Sequence, residues 1–493
     1  MSLRDKWPSR TAFIYAAIGS AVGLGNIWRF PFLAEKFGGG AFLIPFLIAL
    51  FVAGIPLLIL EFALGQKIQK GAVDSLASIK KKLSGVGWWA LFTAFIVISY
   101  YVVIMAWSLI YLFTSFGVQW SENPEGYFND NVLQKSEELS STLLSVGGIV
   151  PSIFISLLVC WILIYFCVWK GIKSVSKIVM WTVPLPIILL IVLLIRAFTL
   201  DGAMVGIAEY ITPDFSAIFD AEVWIAAVSQ VFFSLSIAFG VMIAYSSYNK
   251  KGSDINKNAF TVGIADTVIA IIAGFVVFGT LGFMAEQQGV AFDEVVASGP
   301  GLAFVAFPKA LSLMPFASLF GILFFLTLLT LAIDSAFSLV EAIATTIKDK
   351  TKISKEKIAF IVCFLCFLAG IIYTTNAGLY LLDVVDHFLT NISLIVIGIL
   401  ECIAVGWIFG AEKMRKYINK VSDFKIGTWW NTTIKYIIPI SLAIILALQL
   451  KLEFIANYEG YPVWAILIGW LAVLVPLVIA FLIPQKMLSK DKA

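Results

Sequence analysis

Charge is the scarcest property of this sequence for its size. Only 13% of its 493 residues are Asp, Glu, Lys or Arg, whereas 60% are hydrophobic. A soluble globular domain carries about 25% charged residues. So few charges cannot cover a soluble protein of this length, and lipid is the solvent that tolerates the remaining apolar surface. The composition therefore predicts an integral membrane protein, and the formal net charge of +3 is too small to indicate a partner.

Histidine and cysteine are also scarce, and their placement argues against catalysis and metal chemistry. The single histidine, His387, excludes a site built from several histidines. The five cysteines lie in apolar stretches, where cysteine usually serves as a packing residue. Cys363 and Cys366 have the spacing of a redox or zinc pair, but no polar or histidine partner is near them in the sequence. A membrane-embedded enzyme would need a nucleophile–base pair or a metal cluster, so the sequence argues against one.

The apolar residues form about twelve segments of the length that a transmembrane helix needs, which is about 20 residues. These segments lie near residues 11–33, 41–65, 88–117, 149–168, 176–198, 222–248, 259–283, 316–346, 357–374, 381–408, 435–451 and 462–483. The first ends in Arg-Phe-Pro without a small-residue cleavage site, which indicates a retained span and not a signal peptide. We therefore expect an all-α integral membrane protein with a single polytopic domain over residues 1–493.

Lysine and arginine concentrate in every second loop. These basic loops include Arg4 to Arg10, Lys80 to Lys82, Lys413 to Lys425 and the tail from Lys486. The loops between them are acidic, as in the segment that contains Glu122, Glu125, Asp130, Glu137 and Glu138. Basic loops remain in the cytoplasm. We therefore expect a plasma- or inner-membrane protein with both termini in the cytoplasm, which requires an even number of spans.

Glycine interrupts the first span. Gly19, Gly23 and Gly25 lie within it, and each costs about 1 kcal/mol relative to Ala in a helix. The sixth span is interrupted in the same manner by Ser234-Leu-Ser-Ile-Ala-Phe-Gly240. Such paired interruptions are typical of a binding site at the bilayer midplane, since unwinding frees backbone groups that must be paired there. Close helix packing explains the glycines equally well if composition alone is considered.

Two carboxylates within apolar spans favour the binding site. Asp266 lies in the seventh span and Asp334 in the eighth. A charged side chain in the bilayer costs a few kcal/mol or more, so it usually faces a partner or an ion pathway. The alternative is an acid that is protonated or hydrogen-bonded to a neighbouring helix.

The segment from Trp7 to Pro31 contains Gly-Ser-Ala-Val-Gly-Leu-Gly-Asn-Ile-Trp-Arg-Phe-Pro, and it resembles the first-helix signature of the neurotransmitter:sodium symporter family. Four further segments fit this family in the same order: Gly38-Gly-Gly-Ala-Phe, Tyr100-Tyr101, Gln230-Val-Phe-Phe-Ser-Leu-Ser and Trp407-Ile-Phe-Gly. The resemblance covers essentially the whole chain. It implies a five-plus-five inverted repeat over residues 11–198 and 222–408, with broken helices 1 and 6, and two further helices within 435–483.

The resemblance also implies a function, which is sodium-coupled import of a free amino acid by alternating access. A transport-dead amino-acid receptor of the same fold remains the alternative. Carried over residue by residue, the first sodium site would use Ala21, Asn26, Ser234 and Asp266. The second would use the carbonyls of Gly19, Val22 and Leu331 with the side chains of Asp334 and Ser335. The substrate would contact Leu24, Gly25, Val97, Tyr101, Phe233, Ser236, Phe239, Ser335 and Leu339.

Two gates are implied by the same comparison. The external gate would be Arg29 with Asp386, closed by Tyr101 and Phe233, and the internal gate Arg4 with Asp349, supported by Trp7 and Tyr248. His387, beside Asp386, is expected to be a satisfied interfacial residue and not a proton carrier.

Several positions depart from common family patterns. Amine-transporting members have an aspartate where this chain has Gly23, so we expect a free and probably hydrophobic α-amino acid. Chloride-dependent members have a tyrosine at the position of Phe46, and Asp266 replaces the usual asparagine. We therefore expect no chloride, with Asp266 supplying the compensating charge. Trp181 follows Gly171 at a spacing where bacterial members often have proline, which puts the usual inner water path in doubt.

Overall fold

The computed structural model describes residues 4–135, 146–296 and 299–482. Within these ranges the chain is helical, and extended pairing is confined to isolated bridges such as that between Gly39 and Pro213. Glu137 and Glu138 of the acidic loop and the tail from Lys486 lie outside the described residues.

We number the principal helical segments of the described residues α1–α12, and shorter helices, including Ala72–Ile79 and Ala203–Ile211, lie between them. Ten are apolar helices long enough to cross a membrane: α2 (Gly40–Ile68), α3 (Lys81–Thr114), α4 (Pro151–Val168), α5 (Ile172–Phe198), α7 (Ile255–Gln288), α8 (Ala317–Lys350), α9 (Lys355–Thr374), α10 (Gly378–Val421), α11 (Trp429–Gly460) and α12 (Val463–Leu482). The other two are broken: α1 consists of Arg10–Ala21 (α1a) and Leu24–Lys36 (α1b), and α6 of Ala221–Ser234 (α6a) and Val241–Ser246 (α6b). The all-α membrane fold is thereby confirmed.

Burial separates the inner helices from the outer ones. In α3 and α7, 78% of the most apolar window is buried, whereas only 28% is buried in α5 and 22% in α11. Large apolar side chains on the outer helices, including Ile195 and Ile440, are exposed. Such a surface matches a hydrocarbon environment. The residues of the candidate site lie on α1, α3, α6, α7 and α8, and most of them are buried.

Both predicted interruptions are real breaks in the helices. The two halves of α1 meet at an angle of 60°, because Val22 and Gly23 have extended backbone conformations. In α6 the chain unwinds after Ser234, and Ser236, Ala238 and Gly240 all have positive φ, at 53°, 67° and 72°. Two of these three residues carry a Cβ atom, which disfavours that conformation.

Several boundaries differ from the sequence-based prediction. The helix α10 continues to Val421 instead of ending near residue 408, because the amphipathic segment Ala411–Val421 buries Ala411, Met414 and Ile418. The helix α3 begins at Lys81 and α11 at Trp429, each several residues earlier than expected. In α5 the regular helix is interrupted at Val183, directly before Pro184, and not near Gly171.

Candidate functional site

The break in α1 leaves backbone N–H groups without helical partners, and these groups donate to side-chain oxygens instead. The N–H of Leu24 donates to the Tyr101 hydroxyl at 3.2 Å. The N–H of Gly23 donates to Oδ1 of Asn26 at 3.0 Å. Unpaired N–H groups are costly at membrane depth. A ligand carboxylate that replaced the Tyr101 hydroxyl would therefore meet a backbone donor already directed at it.

The break in α6 is held by an acid that the sequence reasoning missed. The N–H of Ala238 donates to Oε1 of Glu61 at 2.8 Å. Glu61 lies in α2 and is fully buried. Its signal was available in the sequence, because it is an acid within an apolar span like Asp266.

The residues of the first expected sodium site meet where α1, α6 and α7 adjoin. Asn26 Nδ2 donates to Oδ1 of Asp266 at 2.9 Å, and the Ser234 hydroxyl donates to the same oxygen at 2.7 Å. Ala21, Asn26 and Ser234 also line the central cavity. The structure thus brings these four residues together around buried oxygen atoms.

The residues of the second expected sodium site meet where α1a adjoins α8. A Cβ atom at Gly19 would lie 2.9 Å from Oδ2 of Asp334, so only glycine allows this approach. The Ser335 hydroxyl donates to the carbonyl of Gly19 at 3.3 Å. Val22 and Leu331 are buried on the same two helices.

The chemistry of both clusters fits a hard cation. Oδ1 of Asp334 is buried and has no hydrogen-bond partner among the residues that the structure describes. Carboxylate, hydroxyl, amide and carbonyl oxygens are the ligands that hard cations take. A buried carboxylate oxygen without a partner is costly unless a cation or donor compensates it. The residues present therefore suit Na⁺.

A cavity of about 30 Å³ lies between the two clusters. Eight of the nine expected substrate residues line it, namely Gly25, Val97, Tyr101, Phe233, Ser236, Phe239, Ser335 and Leu339. Leu24 joins the site through its N–H to Tyr101. Ser20 also lines the cavity, although the sequence reasoning did not include it. Its hydroxyl donates to the Ser236 hydroxyl at 3.0 Å.

At the end of the bundle that carries the N-terminus, the expected internal gate residues form a closed network. Arg4 Nη1 is 2.5 Å from Oδ1 of Asp349, and the Arg4 guanidinium lies 4.5 Å from the Tyr248 ring centre. Trp7 Nε1 donates to the carbonyl of Tyr245 at 2.8 Å. Sequence reasoning missed Glu341, a buried acid that accepts from the Tyr248 hydroxyl at 3.1 Å.

At the opposite end the expected Arg29–Asp386 ion pair is not formed. Asp386 instead accepts from the Tyr100 hydroxyl at 2.6 Å. The Arg29 guanidinium lies 5.3 Å from the Phe233 ring centre, and its Nη1 has no hydrogen-bond partner among the described residues. The Tyr100 hydroxyl therefore binds the Asp386 carboxylate, which the family resemblance had assigned to Arg29.

We also considered the cysteines and possible metal-ligand clusters of the described residues as candidate redox or metal sites. All five cysteines are free and buried. In the part of the chain that the structure describes, no group of three or more His, Cys, Asp and Glu side chains could hold a metal ion. The two oxygen clusters beside the break in α1 are therefore the principal candidate site.

A broken-helix membrane bundle with oxygen clusters at its breaks defines the class of ion-coupled multi-pass transporters. The profile of the Sodium:neurotransmitter symporter family matches residues 4–124 and 118–490, and the chain belongs to this family. An uncharacterized sodium-dependent transporter of Methanocaldococcus jannaschii is 44% identical, over 98% of this chain and 98% of its own length.

Two animal transporters are similar over nearly the same extent. The sodium- and chloride-dependent taurine transporter of Bos taurus is 34% identical, over 98% of this chain and 85% of its own length. The sodium- and chloride-dependent GABA transporter 2 of Rattus norvegicus is 34% identical, over 96% and 84%. The protein is thus a sodium-dependent symporter with a small-molecule substrate, and it is not an enzyme.

Proposed function

We propose that this symporter imports a free hydrophobic α-amino acid together with Na⁺ by alternating access. The observation that carries the proposal is the small cavity between two buried oxygen clusters. The first cluster lies at the break in α1, and the second lies where Gly19 of α1 closely approaches Asp334. The end with Arg4 and Asp349 is the cytoplasmic end in this proposal, because lysine and arginine concentrate in the loops on that side. The membrane is then the cell membrane, and both termini are cytoplasmic.

Each oxygen cluster is assigned one sodium ion in this proposal. In the first cluster, Na⁺ would be coordinated by Ala21, Asn26, Ser234 and Asp266. In the second cluster, it would be coordinated by Gly19, Val22, Leu331, Asp334 and Ser335. The unpartnered Oδ1 of Asp334 supports the second assignment most directly. The substrate carboxylate would complete the first.

The absence of a pocket carboxylate at position 23 supports an α-amino acid as the substrate. A Cβ atom at Gly23 would lie 2.8 Å from the Ser335 hydroxyl and 2.9 Å from the Tyr101 hydroxyl, so a side chain there would displace these two hydroxyls from the site. The ligand must then bring its own acid to the Leu24 N–H. Taurine and GABA, named in the relatives, also combine an amine with an acidic group.

An apolar wall supports a hydrophobic side chain. Val97, Phe233, Phe239 and Leu339 border the cavity, and Ser236 and Ser335 supply hydroxyls. Leucine, isoleucine, valine, methionine or an aromatic amino acid fits this lining. A pocket methylene discriminates by only about 1–3 kcal/mol, so these ligands form a graded series.

Competition binding tests the substrate class. Purified protein should bind labelled leucine in the presence of Na⁺, and the amine formed by decarboxylating leucine should compete poorly. Replacing Na⁺ with K⁺ controls for non-specific binding. Equal competition by the amine, or a panel led by glycine, glutamate or lysine, contradicts the proposed substrate.

We further propose that transport needs no chloride, although the similar taurine and GABA transporters are named chloride-dependent. Phe46 is buried with its ring centre 4.9 Å from that of Phe30, and a phenyl ring offers no hydrogen bond to an anion. Asp266 would supply the negative charge beside the first Na⁺. Two like unit charges about 4 Å apart repel by about 4 kcal/mol at an effective dielectric constant near 20, which disfavours chloride there.

A further inference from the structure

Two glutamates from different spans face each other behind the break in α6. Glu61 lies in α2 and Glu401 in α10. Both side chains are fully buried, and their carboxyl groups lie within hydrogen-bond reach of each other. Neither acid forms an ion pair within the part of the chain that the structure describes. The proposed sodium and substrate sites use neither of them.

The two acids differ in the hydrogen-bond donors around them. Oε1 of Glu61 accepts from the N–H of Ala238 at 2.8 Å, and the backbone of Ile243 in α6b also faces this carboxyl group. Oε2 of Glu61 and both carboxyl oxygens of Glu401 have no hydrogen-bond partner among the described residues. Three buried carboxyl oxygens therefore lack a donor at one place, which is a costly arrangement if both groups are ionised.

A single proton supplies the missing donor. An ionised carboxylate only accepts hydrogen bonds, whereas a protonated carboxyl group also donates one. Two adjacent carboxylates in a low-dielectric interior do not both stay ionised, because each disfavours the charge of the other. The proton belongs on Glu401, since backbone N–H groups face Glu61 and stabilise its charged form, whereas no donor from the described residues reaches the Glu401 oxygens.

We propose that Glu61 and Glu401 hold one shared proton, and that Glu401 is a positioning residue for the α6 break. Its O–H donates to Glu61, and Glu61 in turn holds the N–H of Ala238. Ser236 and Phe239, on either side of Ala238, line the central cavity. The shared proton thus fixes one wall of that cavity. The effect on the cavity rests on the proposed amino-acid binding, whereas the proton itself does not.

Infrared difference spectroscopy tests the shared proton without any substrate, because a protonated carboxyl group and a carboxylate have separate stretching bands. Subtracting the spectrum of the Glu61→Gln/Glu401→Gln double variant from that of the parent at neutral pH should leave one band of each kind. Glu401→Gln alone should remove only the band of the protonated acid. Two carboxylate bands would show two ionised acids held by water or a bound cation and would overturn the proposal. Two protonated-acid bands would overturn it as well.

Hydrogen exchange at the α6 break tests the positioning role. Glutamine at position 401 keeps a donor toward Glu61, so Glu401→Gln should exchange the backbone amides of residues 235–240 at the parental rate. Methionine has a similar length but no donor, so Glu401→Met leaves Oε2 of Glu61 unpartnered. Protonation or reorientation of Glu61 then weakens its bond to Ala238. Exchange there should be about fivefold faster or more, the factor expected when a buried acceptor loses its donor.

Sodium-dependent leucine binding tests the effect on the cavity. The Kd should stay within about twofold of the parental value in Glu401→Gln and rise about threefold to tenfold in Glu401→Met. Ile403→Met is the matched control, because it introduces methionine on α10 at a position that is 37% exposed, and it should match the parent in exchange and in binding.

Parental exchange in Glu401→Met, or equal losses in the glutamine and methionine variants, contradicts the positioning role. If the parent binds no leucine while the infrared and exchange results are as expected, the transport proposal has failed and the shared proton has not.

Discussion

Asp266 and Asp334 are buried to the same extent but are held in different ways. Asp266 accepts hydrogen bonds from Asn26 and Ser234. Oδ1 of Asp334 has no hydrogen-bond partner among the described residues, and the only protein hydrogen bond described for this carboxyl group is with the Thr182 side chain. A buried carboxylate oxygen without a donor is the costlier arrangement. In the proposed transport we therefore expect Asp334 to need a bound cation more than Asp266, whose carboxylate the protein already holds and which would act as a fixed charge.

The two ends of the bundle show a related difference. Asp349 is paired with Arg4 at 2.5 Å, whereas Asp386 is held by the Tyr100 hydroxyl and Arg29 forms no ion pair with it. One end is therefore closed by charge and the other is not. In the proposed alternating-access cycle this corresponds to a conformation that is closed toward the cytoplasm.

Replacing the unpartnered carboxylate should have the largest effect. Asp334→Asn is expected to weaken the apparent Na⁺ affinity about tenfold or more, because a neutral amide replaces a charged ligand of a hard cation. Na⁺ titration of leucine binding measures this change. Asp130→Asn, at an exposed position of the short helical segment Tyr127–Val132, is the control for loss of one acid, and size-exclusion chromatography checks folding. An unchanged Na⁺ response would refute the role of Asp334.

Replacing Asp266, whose carboxylate is already hydrogen-bonded within the protein, should have a smaller effect on uptake. Asp266→Asn is expected to lower uptake about threefold to tenfold, the range expected for losing charge-assisted hydrogen bonds. Exchanging chloride for gluconate should leave uptake by the parent unchanged. Chloride is not expected to rescue the variant, because Phe46 remains. Loss of parental activity without chloride would contradict the charge-substitution argument.

Removing the ion pair at the closed end should open that end by a moderate amount. Arg4→Ala is expected to increase the labelling rate of a cysteine placed at buried Thr345 about fivefold, the size of roughly 1 kcal/mol. Lys350→Ala is the control, because it removes a different ion pair at this end, with Asp74. Equal labelling in Arg4→Ala and the parent would show that Arg4 does not hold the end closed.

Asp5 should contribute least, although it also pairs with lysine. Partial burial acts to raise the pKa of Asp5, but Lys355, at 2.5 Å, and Lys173 outweigh it and lower the pKa below its usual value. The stabilisation is present above the unfolded-state pKa and is lost as the pH falls through the folded-state pKa. Solvent screening limits it to about 0.5 kcal/mol.

Thermal unfolding measures this small contribution. Asp5→Asn should be slightly less stable than the parent at pH 7, and the difference should shrink in acid and vanish once the pH lies below the lowered folded-state pKa of Asp5, where both chains are neutral at this position. A difference that grows on acidification would have the wrong sign for this ion pair.

The breaks in α1 and α6 could be predicted because glycine in an apolar span has a direct helical cost. The conformation of the α6 break could not, since Ser236 and Ala238 have positive φ despite carrying side chains. Tertiary contacts impose that conformation, including the hydrogen bond from Ala238 to Glu61. Glu61 itself is an acid in an apolar span, so the rule that identified Asp266 also applies to it.

The gates show a different limit of sequence-based prediction. Arg4 and Asp349 lie far apart in the chain, and only the family resemblance suggested their pairing, which the structure contains. Arg29 and Asp386 were suggested in the same way, but their pairing depends on conformation, and the Tyr100 hydroxyl takes the place of Arg29. A sequence specifies which residues are available to a moving gate, whereas one structure contains one set of partners.

Uptake into proteoliposomes tests the central claim most directly. With an inward Na⁺ gradient, the purified protein should accumulate labelled leucine above its external concentration, and a K⁺ gradient or a sodium ionophore should abolish this accumulation. Sodium-dependent binding without accumulation would contradict transport and favour a receptor of the same fold. Accumulation that is independent of Na⁺ would contradict the coupling assigned to Asp266 and Asp334.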